Sequence, residues 1–416
     1  MGVMGPRSVD TVVVGAGQAG LIMSWHLQRA GREHLVIDRR ETLGGGWQDR
    51  WDGFRLVSPN WITALPGYPY DGPDPDGFMV RAAIAARVRD YASVIGAPVQ
   101  PATELRRLRT DGATGRRFHL ETSQGPIDAD AVIVATGGFH DPKVPPGAAG
   151  FSTGVHQVHA LHYRNPEQLP PGSVLVVGSG QTGVQLAEEL HAAGREVVLS
   201  VGHCGRAPRR YRGQDWFWWV RQLIERGPEL GPQLPTVEQL PERRARFACN
   251  PHLSGHGGGH DTNLRQMALD GIRLAGRFTE ADGMVVRFAP DLADNLRFAD
   301  GFFDARVRPL FDAFAERAAL DLGPDDRVSP EHEPPELTEL DLAAAGISTV
   351  LWTTGFAPDY GWLDLPILDE FGVPRHVRGV SEVPGLSFIG LLFQHDNGSA
   401  NLAGVGRDAA YLASTW

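Results

Sequence analysis

An α/β fold with parallel sheets is predicted by two related stretches of this 416-residue sequence. In each stretch a run of apolar residues leads into a G-x-G-x-x-G motif and then into a helical pattern, at residues 11–30 and 174–193. A second apolar strand follows each helix, at 33–38 and 196–201. Strand, glycine loop, helix and strand form the opening of a Rossmann-like dinucleotide-binding domain. Since this opening occurs twice, we predict two such domains.

The second domain is predicted to be inserted in the first. Residues 1–155 contain the first glycine motif, a hairpin pattern and a buried strand that runs into residues 131–137. Residues 156–341 contain the second motif, followed by an irregular segment rich in proline and glycine. Residues 342–416 contain a strand at 386–390 and a C-terminal helix, and we expect them to return to the first domain.

Composition and charge disfavour several classes of protein. Apolar residues make up 42% and charged residues 21%, which is typical of a globular domain, and the net charge of −11 disfavours nucleic-acid and membrane partners. The two cysteines, Cys204 and Cys249, lie 45 residues apart. This spacing predicts neither a disulfide framework nor a CxxC redox pair, and it favours a cytoplasmic location. The histidines show no convincing zinc-ligand spacing, so no metal is expected.

In each unit, the residues at the end of the second strand predict which nucleotide the glycine loop binds. Glycines let the backbone approach a pyrophosphate, and the helix that follows presents free N–H groups to it. Asp38 ends the first of these strands. Its carboxylate would accept a hydrogen bond from a ribose hydroxyl and would repel a 2′-phosphate, so this site favours FAD or NAD. The second strand ends without an acid and is followed by Arg206, Arg209 and Arg210, which favours NADPH, with a solvated arginine loop as the alternative.

Two nucleotides on one chain imply hydride transfer from NADPH to a bound flavin. Because the sequence predicts no cysteine pair that could reoxidise the flavin, molecular oxygen is the expected acceptor. Two alternatives stay open: an NADPH oxidase or reductase that uses FAD without oxygenating a substrate, and a non-catalytic dinucleotide redox sensor.

At these residues the chain resembles the class B flavin-dependent monooxygenases, which include flavin-containing monooxygenases, N-hydroxylating enzymes and plant indole-pyruvate monooxygenases. The resemblance covers most of the chain. Besides the two glycine loops, it rests on five shorter motifs: Gly44-Gly45-Gly46-Trp47, Leu56-Val57-Ser58-Pro59-Asn60, Ala135-Thr136-Gly137, Thr354-Gly355-Phe356 and the tail from Gly398 to Ala409.

The resemblance implies FAD in the first unit, NADPH in the second, and an active site between them. It also implies that oxygen adds at the flavin C4a position to give a (hydro)peroxyflavin, which transfers one oxygen atom to a small organic substrate, at nitrogen or sulfur. Asn60 matches a position close to C4a and is the expected catalytic residue, with a turn role as the alternative. The substrate itself is not predicted.

The residues expected to bind the cofactors follow from the motifs and the resemblance. Around the first unit they are Gly15, Gly17, Gln18, Ala19, Gly20, Asp38, Arg39, Gly46, Trp47, Ser58, Leu105, Ala135, Thr136, Gly137, Gln394 and Ser399. Around the second unit they are Gly178, Ser179, Gly180, Gln181, Thr182, Gly183, Arg206, Arg209 and Arg210. The expected partners are a small-molecule substrate and molecular oxygen, with a homodimer as the assembly to test.

Overall fold

The computed structural model describes residues 7–110 and 117–415. The helices of this part of the chain are α1 (Gln18–Arg29), α2 (Arg81–Val94), α3 (Gln181–Ala192), α4 (Trp216–Leu230), α5 (Leu264–Leu269), α6 (Leu292–Phe302), α7 (Arg308–Arg317) and α8 (Val405–Ser414). Its strands are β1 (Arg7–Val14), β2 (His34–Ile37), β3 (Val99–Gln100), β4 (Leu105–Thr110), β5 (Phe118–Thr122), β6 (Gly125–Val134), β7 (Asp141–Pro142), β8 (His156–His159), β9 (Ser173–Val177), β10 (Val197–Ser200), β11 (Arg210–Tyr211), β12 (Gln214–Asp215), β13 (Arg273–Ala275), β14 (Phe278–Asp282), β15 (Val285–Phe288), β16 (Glu339–Asp341), β17 (Ile347–Trp352), β18 (Phe356–Ala357), β19 (His376–Val377), β20 (Val380–Ser381) and β21 (Leu386–Phe388).

The first sheet is built around β1, which lies between β2 and β6. All three run parallel, and Val13 of β1 is paired with Val36 on one side and Ile133 on the other. Strands β3 and β21 extend the parallel part of the sheet outwards, and the predicted hairpin is present as the antiparallel pair β4–β5, which continues into β6. Because the central strands are covered on both faces, they consist of consecutive apolar residues rather than an alternating pattern.

The second sheet has the strand order β13–β10–β9–β17–β8, and its strands run parallel. Val176 of β9 is paired with Leu199 of β10 and Leu351 of β17. Strand β17 therefore belongs to the second sheet, although the predicted boundary at residue 341 placed it in the segment that returns to the first. After β17 the chain returns to the first sheet, first at Leu363, which forms a bridge with Leu108 of β4, and then at β19–β21. The predicted α/β class with parallel sheets is confirmed.

The irregular segment between α3 and β16 contains its own aromatic cluster. Trp219 of α4 is fully buried, stacks on Phe311 of α7 with ring centres 4.9 Å apart, and donates its indole N–H to the carbonyl of Tyr211 at 3.0 Å. The run of aromatic residues at 216–219 therefore packs α4 against α7. Aromatic pairs with this offset stacking stabilise a small core beyond the area that they bury.

Cys204 and Cys249 form a disulfide, with Cα atoms 6.0 Å apart. The prediction that these cysteines stay apart, so that no pair exists, was therefore wrong. The loop after β10 folds against the segment that follows Cys249, because His252 donates its backbone N–H to Gly205 at 3.0 Å and accepts that of Ala207 at 3.3 Å. Because these backbone contacts join residues far apart in the chain, the spacing of the cysteines could not predict them.

Two features are absent from the described residues. None of their helices has both the length and the apolar character that crossing a bilayer requires. In the same residues no three or more histidine, cysteine or acidic side chains come together as metal ligands would.

Candidate active site

The three glycines of the first motif have different surroundings. Gly15 has φ +109°, and a Cβ there would lie 2.5 Å from the carbonyl oxygen of Ala135. A Cβ at Gly20 would overlap the carbonyl of Gly15, so the helix packs directly on the turn. At Gly17 the nearest atom would be the Cα of Gly45, 3.7 Å away. The chain thus closes around the first and third glycines and leaves the second accessible to a ligand.

The second motif repeats this arrangement. Gly178 has φ +106°, and a Cβ there would lie 2.9 Å from the carbonyl oxygen of Thr353. A Cβ at Gly183 would overlap the carbonyl of Gly178. At Gly180 the nearest atom that the described chain supplies is the Cβ of Cys249, at 3.8 Å. Again the middle glycine is the one that a ligand can approach.

Helices α1 and α3 begin at these accessible glycines. Gly17 and Gly180 are their N-cap residues, and within the described residues no side chain caps either helix. The first backbone N–H groups of both helices, together with the positive end of each helix dipole, are therefore available to an anion. A pyrophosphate, the group that FAD and NADPH share, fits both sites.

Asp38 is held at the mouth of the first motif. Its Oδ2 accepts the backbone N–H of Ala16 at 2.7 Å, and its Oδ1 accepts a second backbone N–H two residues further on, at 2.9 Å. Thr103 donates its N–H to the carbonyl of Asp38 at 2.8 Å, which places Leu105, at the start of β4, close to this strand end. Arg39 is exposed beside it. The fixed carboxylate lies where a Rossmann fold binds an adenosine ribose.

Gln18 joins three of the predicted cofactor motifs. Its Oε1 accepts the indole N–H of Trp47 at 3.0 Å, and its Nε2 donates to the carbonyl of Ala400 at 3.1 Å. Gly46 precedes Trp47 on the exposed side of this turn, and Ala19 is buried in the first turn of α1. The turn after β2 and the C-terminal loop therefore meet at the first glycine motif.

The segment after β6 passes the same place. Ala135 is buried, and its N–H donates to the carbonyl of Val14 at 2.8 Å, immediately before the first glycine. Thr136 is exposed and Gly137 has φ +78°, so the chain turns away from the sheet here. This is the carboxyl edge of the parallel strands, the edge at which open α/β sheets bind their ligands.

Asn60 presents an unpartnered carbonyl oxygen. Its side-chain Nδ2 donates to the carbonyl of Asp74 at 2.8 Å, which fixes the orientation of the amide, because the opposite orientation would bring two oxygens together. Its Oδ1 is buried without a hydrogen-bond partner among the described residues. Ser58 is buried two residues earlier. A buried acceptor without a donor is costly, so this oxygen is suited to a ligand that brings a donor.

Gln394 and Ser399 are turned into the C-terminal loop. The Gln394 side chain is fully buried, and its amide group forms hydrogen bonds with two backbone groups at 3.4 Å. The Ser399 hydroxyl accepts two backbone N–H groups of its own loop, at 3.0 and 3.2 Å. These side chains brace the loop, and the carbonyl of the neighbouring Ala400 is the group that contacts the first glycine motif.

A later segment of the chain lies on the second glycine motif. The carbonyl of Ser179 accepts a hydrogen bond from Nε2 of His252 at 2.5 Å. The side-chain amide of Gln181 pairs with the backbone of Leu253, donating at 2.5 Å and accepting at 3.0 Å. His252 is completely buried, and this burial lowers its pKa to about 4, so that the imidazole is neutral at pH 7.

The three arginines of the second unit differ in their availability. Arg209 is only 2% exposed, and its guanidinium bonds the carboxylate of Asp215 at 2.5 Å and a backbone carbonyl at 2.6 Å. Arg206 forms an ion pair with Asp300 at 2.8 Å. Arg210 is exposed at the start of β11. Arg209 is thus engaged within the protein, whereas Arg210 is accessible to a ligand.

A small cavity lies between the turn after β2 and the first turn of α3. Its walls come from both units: Gly46, Asp49, Arg50, Phe139, Thr182 and Phe356. The Nε of Arg50 is buried without a hydrogen-bond partner in the described chain, and the guanidinium carbon lies 4.3 Å from the centre of the Phe139 ring. Burial lowers the pKa of Arg50 to about 10, against the opposing charge of Asp49. The Arg50 side chain therefore faces the space between the two loops with donors to offer.

Arg50, His252 and the cysteine pair were not among the predicted site residues. Arg50 had a usable signal, since it follows Trp47 by three residues in a motif that was already assigned to cofactor binding. The histidine-rich run 252–260 predicts a loop near the cofactors but no role for His252, and Cys249 had no signal, because it reaches the second motif through tertiary folding of the irregular segment.

Comparisons with known proteins identify the family of this chain. A family model described as pyridine nucleotide-disulphide oxidoreductase matches residues 12–226. An uncharacterised CzcO-like oxidoreductase from Geobacillus kaustophilus is 32% identical over 407 residues, with 97% of each chain covered. The indole-3-pyruvate monooxygenase YUCCA1 of Oryza sativa is 28% identical over 228 residues, which cover 52% of this chain and 55% of that protein.

Solved structures show the same fold. A variant of a flavin monooxygenase from Stenotrophomonas maltophilia superposes with a TM-score of 0.66 at 20% identity, and the match covers 98% of both chains. The chain belongs to the pyridine nucleotide-disulphide oxidoreductase family and is a flavin-dependent oxidoreductase similar to the class B flavin-dependent monooxygenases, with FAD and NADPH as its cofactors.

Proposed function

We propose that this protein uses NADPH to reduce bound FAD and then transfers one atom of molecular oxygen to a nitrogen or sulfur atom of a small organic substrate. The cavity between Gly46 and Thr182 carries the proposal, because it joins the turn beside the first motif to the first turn of α3. Hydride transfer requires the reactive rings of the two nucleotides to meet, and this is the place where the two sites adjoin.

The proposed architecture is a pair of Rossmann-like domains, the second inserted in the first. Strands β8 and β17 are both in the second sheet, so the two crossings between the domains lie near residues 155 and 353. The first motif and Asp38 hold FAD, and the second motif holds the pyrophosphate of NADPH, with Arg210 as the accessible cation for its 2′-phosphate. When bound, FAD would accept the hydride from NADPH and would supply the chemistry with oxygen.

The chain's own residues position and enclose the reacting groups. The Oδ1 of Asn60 accepts a hydrogen bond from a donor brought by the cofactors or the substrate. The guanidinium of Arg50 binds an anionic group of the dinucleotide in the cavity. The rings of Phe139 and Phe356, with centres 5.0 Å apart, form an apolar wall of this cavity.

The test separates the monooxygenase from the two alternative functions. The FAD-loaded protein is mixed with NADPH without oxygen and then with oxygen, in the presence and absence of a tertiary amine or a thioether. We expect flavin bleaching, a fall in peroxide released per NADPH when substrate is present, and one labelled atom in the product when ¹⁸O₂ is used. An undiminished peroxide yield with every amine and thioether would favour the oxidase. Failure of NADPH to bleach the flavin would favour the sensor.

A further inference from the structure

The two cysteines lie beside the accessible glycine of the second motif. Cys204 is buried in the loop after β10, and Cys249 is exposed. The Cβ of Cys249 lies 3.8 Å from the position that a Cβ on Gly180 would occupy, and no nearer atom is found there in the described chain. A pyrophosphate that approaches the backbone at Gly180 therefore meets Cys249 at the edge of its site.

Cys249 belongs to a segment, residues 236–254, that we name the strap. Beyond the disulfide the strap lies directly on the second motif, through the hydrogen bond from His252 to the Ser179 carbonyl and the paired amide of Gln181. Three successive residues of the motif, 179–181, are thus in contact with the strap. The disulfide fixes the strap at this end.

The other end of the strap is attached to the first unit. Val237 donates its N–H to the carbonyl of His395 at 2.8 Å, within the loop that contacts the first glycine motif. Arg246 forms an ion pair with Asp369, in which both side chains are largely buried. The ring of Phe247 packs on that of Phe371, with centres 5.5 Å apart. The strap therefore spans both units.

Between these attachments the strap has little structure of its own. Two short 3-10 turns, Val237–Gln239 and Arg243–Phe247, are its regular elements, and most residues between 241 and 250 are exposed. A segment with few buried contacts has a low local stability, so its position depends on its tethers. The covalent tether at Cys249 is the one among them that a change of redox state can remove.

We propose that Cys204 and Cys249 are a redox-controlled pair whose disulfide holds the strap against the second glycine motif and weakens NADPH binding. Reduction releases Cys249 from the edge of the site at Gly180, and the motif becomes fully accessible to the pyrophosphate. This inference rests on the proposed function for the identity of the nucleotide. The cysteine pair is regulatory, because it lies at the glycine motif that binds the pyrophosphate.

The oxidant is hydrogen peroxide, which the proposed enzyme releases when oxygen is reduced without a substrate. The Cys249 thiolate attacks one oxygen of peroxide, the O–O bond breaks, and a sulfenic acid and hydroxide form. The sulfur of Cys204 then attacks this sulfenic sulfur, the S–O bond breaks, and water leaves. Two thiols and one peroxide thus give one disulfide and two waters. A dithiol reverses the reaction by attacking the exposed Cys249 sulfur, and Cys204 leaves as the thiolate.

The test measures NADP⁺ binding to the FAD-loaded protein by calorimetry, after treatment with hydrogen peroxide or with dithiothreitol and removal of either reagent. Thiol labelling counts the free cysteines in each sample. We expect none after peroxide and two after dithiothreitol, with a Kd for NADP⁺ that is roughly five-fold or more weaker in the oxidised protein. Cys249→Ser and Cys204→Ser should bind as the reduced protein does after either treatment.

The other outcomes distinguish a failure of the redox switch from a failure of the proposed nucleotide site. Equal NADP⁺ affinity in the oxidised and reduced wild type, or two free thiols after peroxide, would overturn the switch and leave the proposed function intact. No NADP⁺ binding in either state would overturn the proposed nucleotide site. An anaerobic titration completes the test: one NADPH per FAD reduces the oxidised protein if the pair is regulatory, whereas two per FAD would show that the disulfide accepts electrons from the flavin.

Discussion

The carboxylate of Asp38 lies 2.7 Å from the backbone N–H of Ala16, so the acid at the end of β2 is fixed directly to the first glycine motif. This contact orients one oxygen before any nucleotide binds and leaves the remaining acceptor sites of the carboxylate for a ribose hydroxyl. The residue proposed to select the nucleotide and the loop proposed to bind its phosphates are therefore held together.

Replacing Asp38 with asparagine should release FAD. An amide group can accept only one of the two backbone N–H groups, since its other end is itself a donor. We expect a lower ratio of flavin to protein absorbance after gel filtration and a loss of roughly 1–3 kcal/mol in the free energy of unfolding. Asp10→Asn, at an exposed ion pair on β1, is the control and should retain FAD. Full FAD retention in Asp38→Asn would argue against the ribose role.

Replacing Asn60 with alanine should uncouple NADPH oxidation from product formation. The substitution removes the unpartnered Oδ1, so the flavin should be reduced at the normal rate while more peroxide is released per NADPH. The measurement is the peroxide-to-NADPH ratio in the presence of substrate. Tyr70→Phe, which removes only the hydroxyl 3.4 Å from the Asn60 amide, is the matched control. An unchanged ratio in Asn60→Ala would assign Asn60 to the turn alone.

Replacing Arg50 with methionine should weaken NADP⁺ binding. A charge-assisted hydrogen bond to a phosphate is worth about 1.5–3 kcal/mol, so the Kd should rise roughly ten-fold or more. Titration of the FAD-loaded protein with NADP⁺ measures this change. Arg89→Met on the exposed face of α2 should have no effect. If Arg50→Met instead loses FAD and leaves the NADP⁺ Kd unchanged, the anionic group that Arg50 binds belongs to FAD.

Replacing Arg210 with glutamine should reduce the preference for NADPH over NADH. Because only NADPH carries the 2′-phosphate, its KM should rise by roughly a factor of ten while that of NADH stays nearly constant. Arg209→Gln is the contrasting variant: it leaves Asp215 without its buried partner, so the melting temperature should fall with little effect on the preference. Equal changes in both KM values for Arg210→Gln would remove the 2′-phosphate argument.

The neutral state of His252 should make stability depend on pH. Its pKa is about 4 in the folded protein against 6.5 when unfolded, so the unfolded chain takes up a proton first as the pH falls. The stabilising contribution is complete above about pH 6.5 and is lost as the pH falls towards 4, and about 2 kcal/mol of it is already lost at pH 5. Urea unfolding at pH 7 and pH 5 should show this loss in the wild type and in the exposed His156→Gln control. His252→Gln should lose about 2 kcal/mol less than the wild type between these pH values, because His376, whose pKa burial also lowers to about 4, retains its own contribution; a loss equal to that of the wild type would contradict the prediction.

The glycine motifs and the strands that flank them were predictable because their signals are local. Gly15 and Gly178 must adopt a positive φ, and the apolar runs before them have no other stable environment than a buried parallel strand. Strand β17 was assigned to the wrong unit because its sequence shows that it is buried but not which strands it pairs with. The side chains of Arg209, Gln394 and Ser399 could not be oriented for the same reason.

The sequence by itself determined the two nucleotide loops, their accessible middle glycines and the acid that distinguishes the first site from the second. Each of these depends on neighbouring residues and on backbone geometry, which the chain carries locally. The tertiary structure decided the rest: that Arg50 faces the space between the loops, that Arg209 pairs with Asp215, and that Cys249 lies beside Gly180. These contacts join residues far apart in the chain, and only the packing of the two sheets and the strap brings them together.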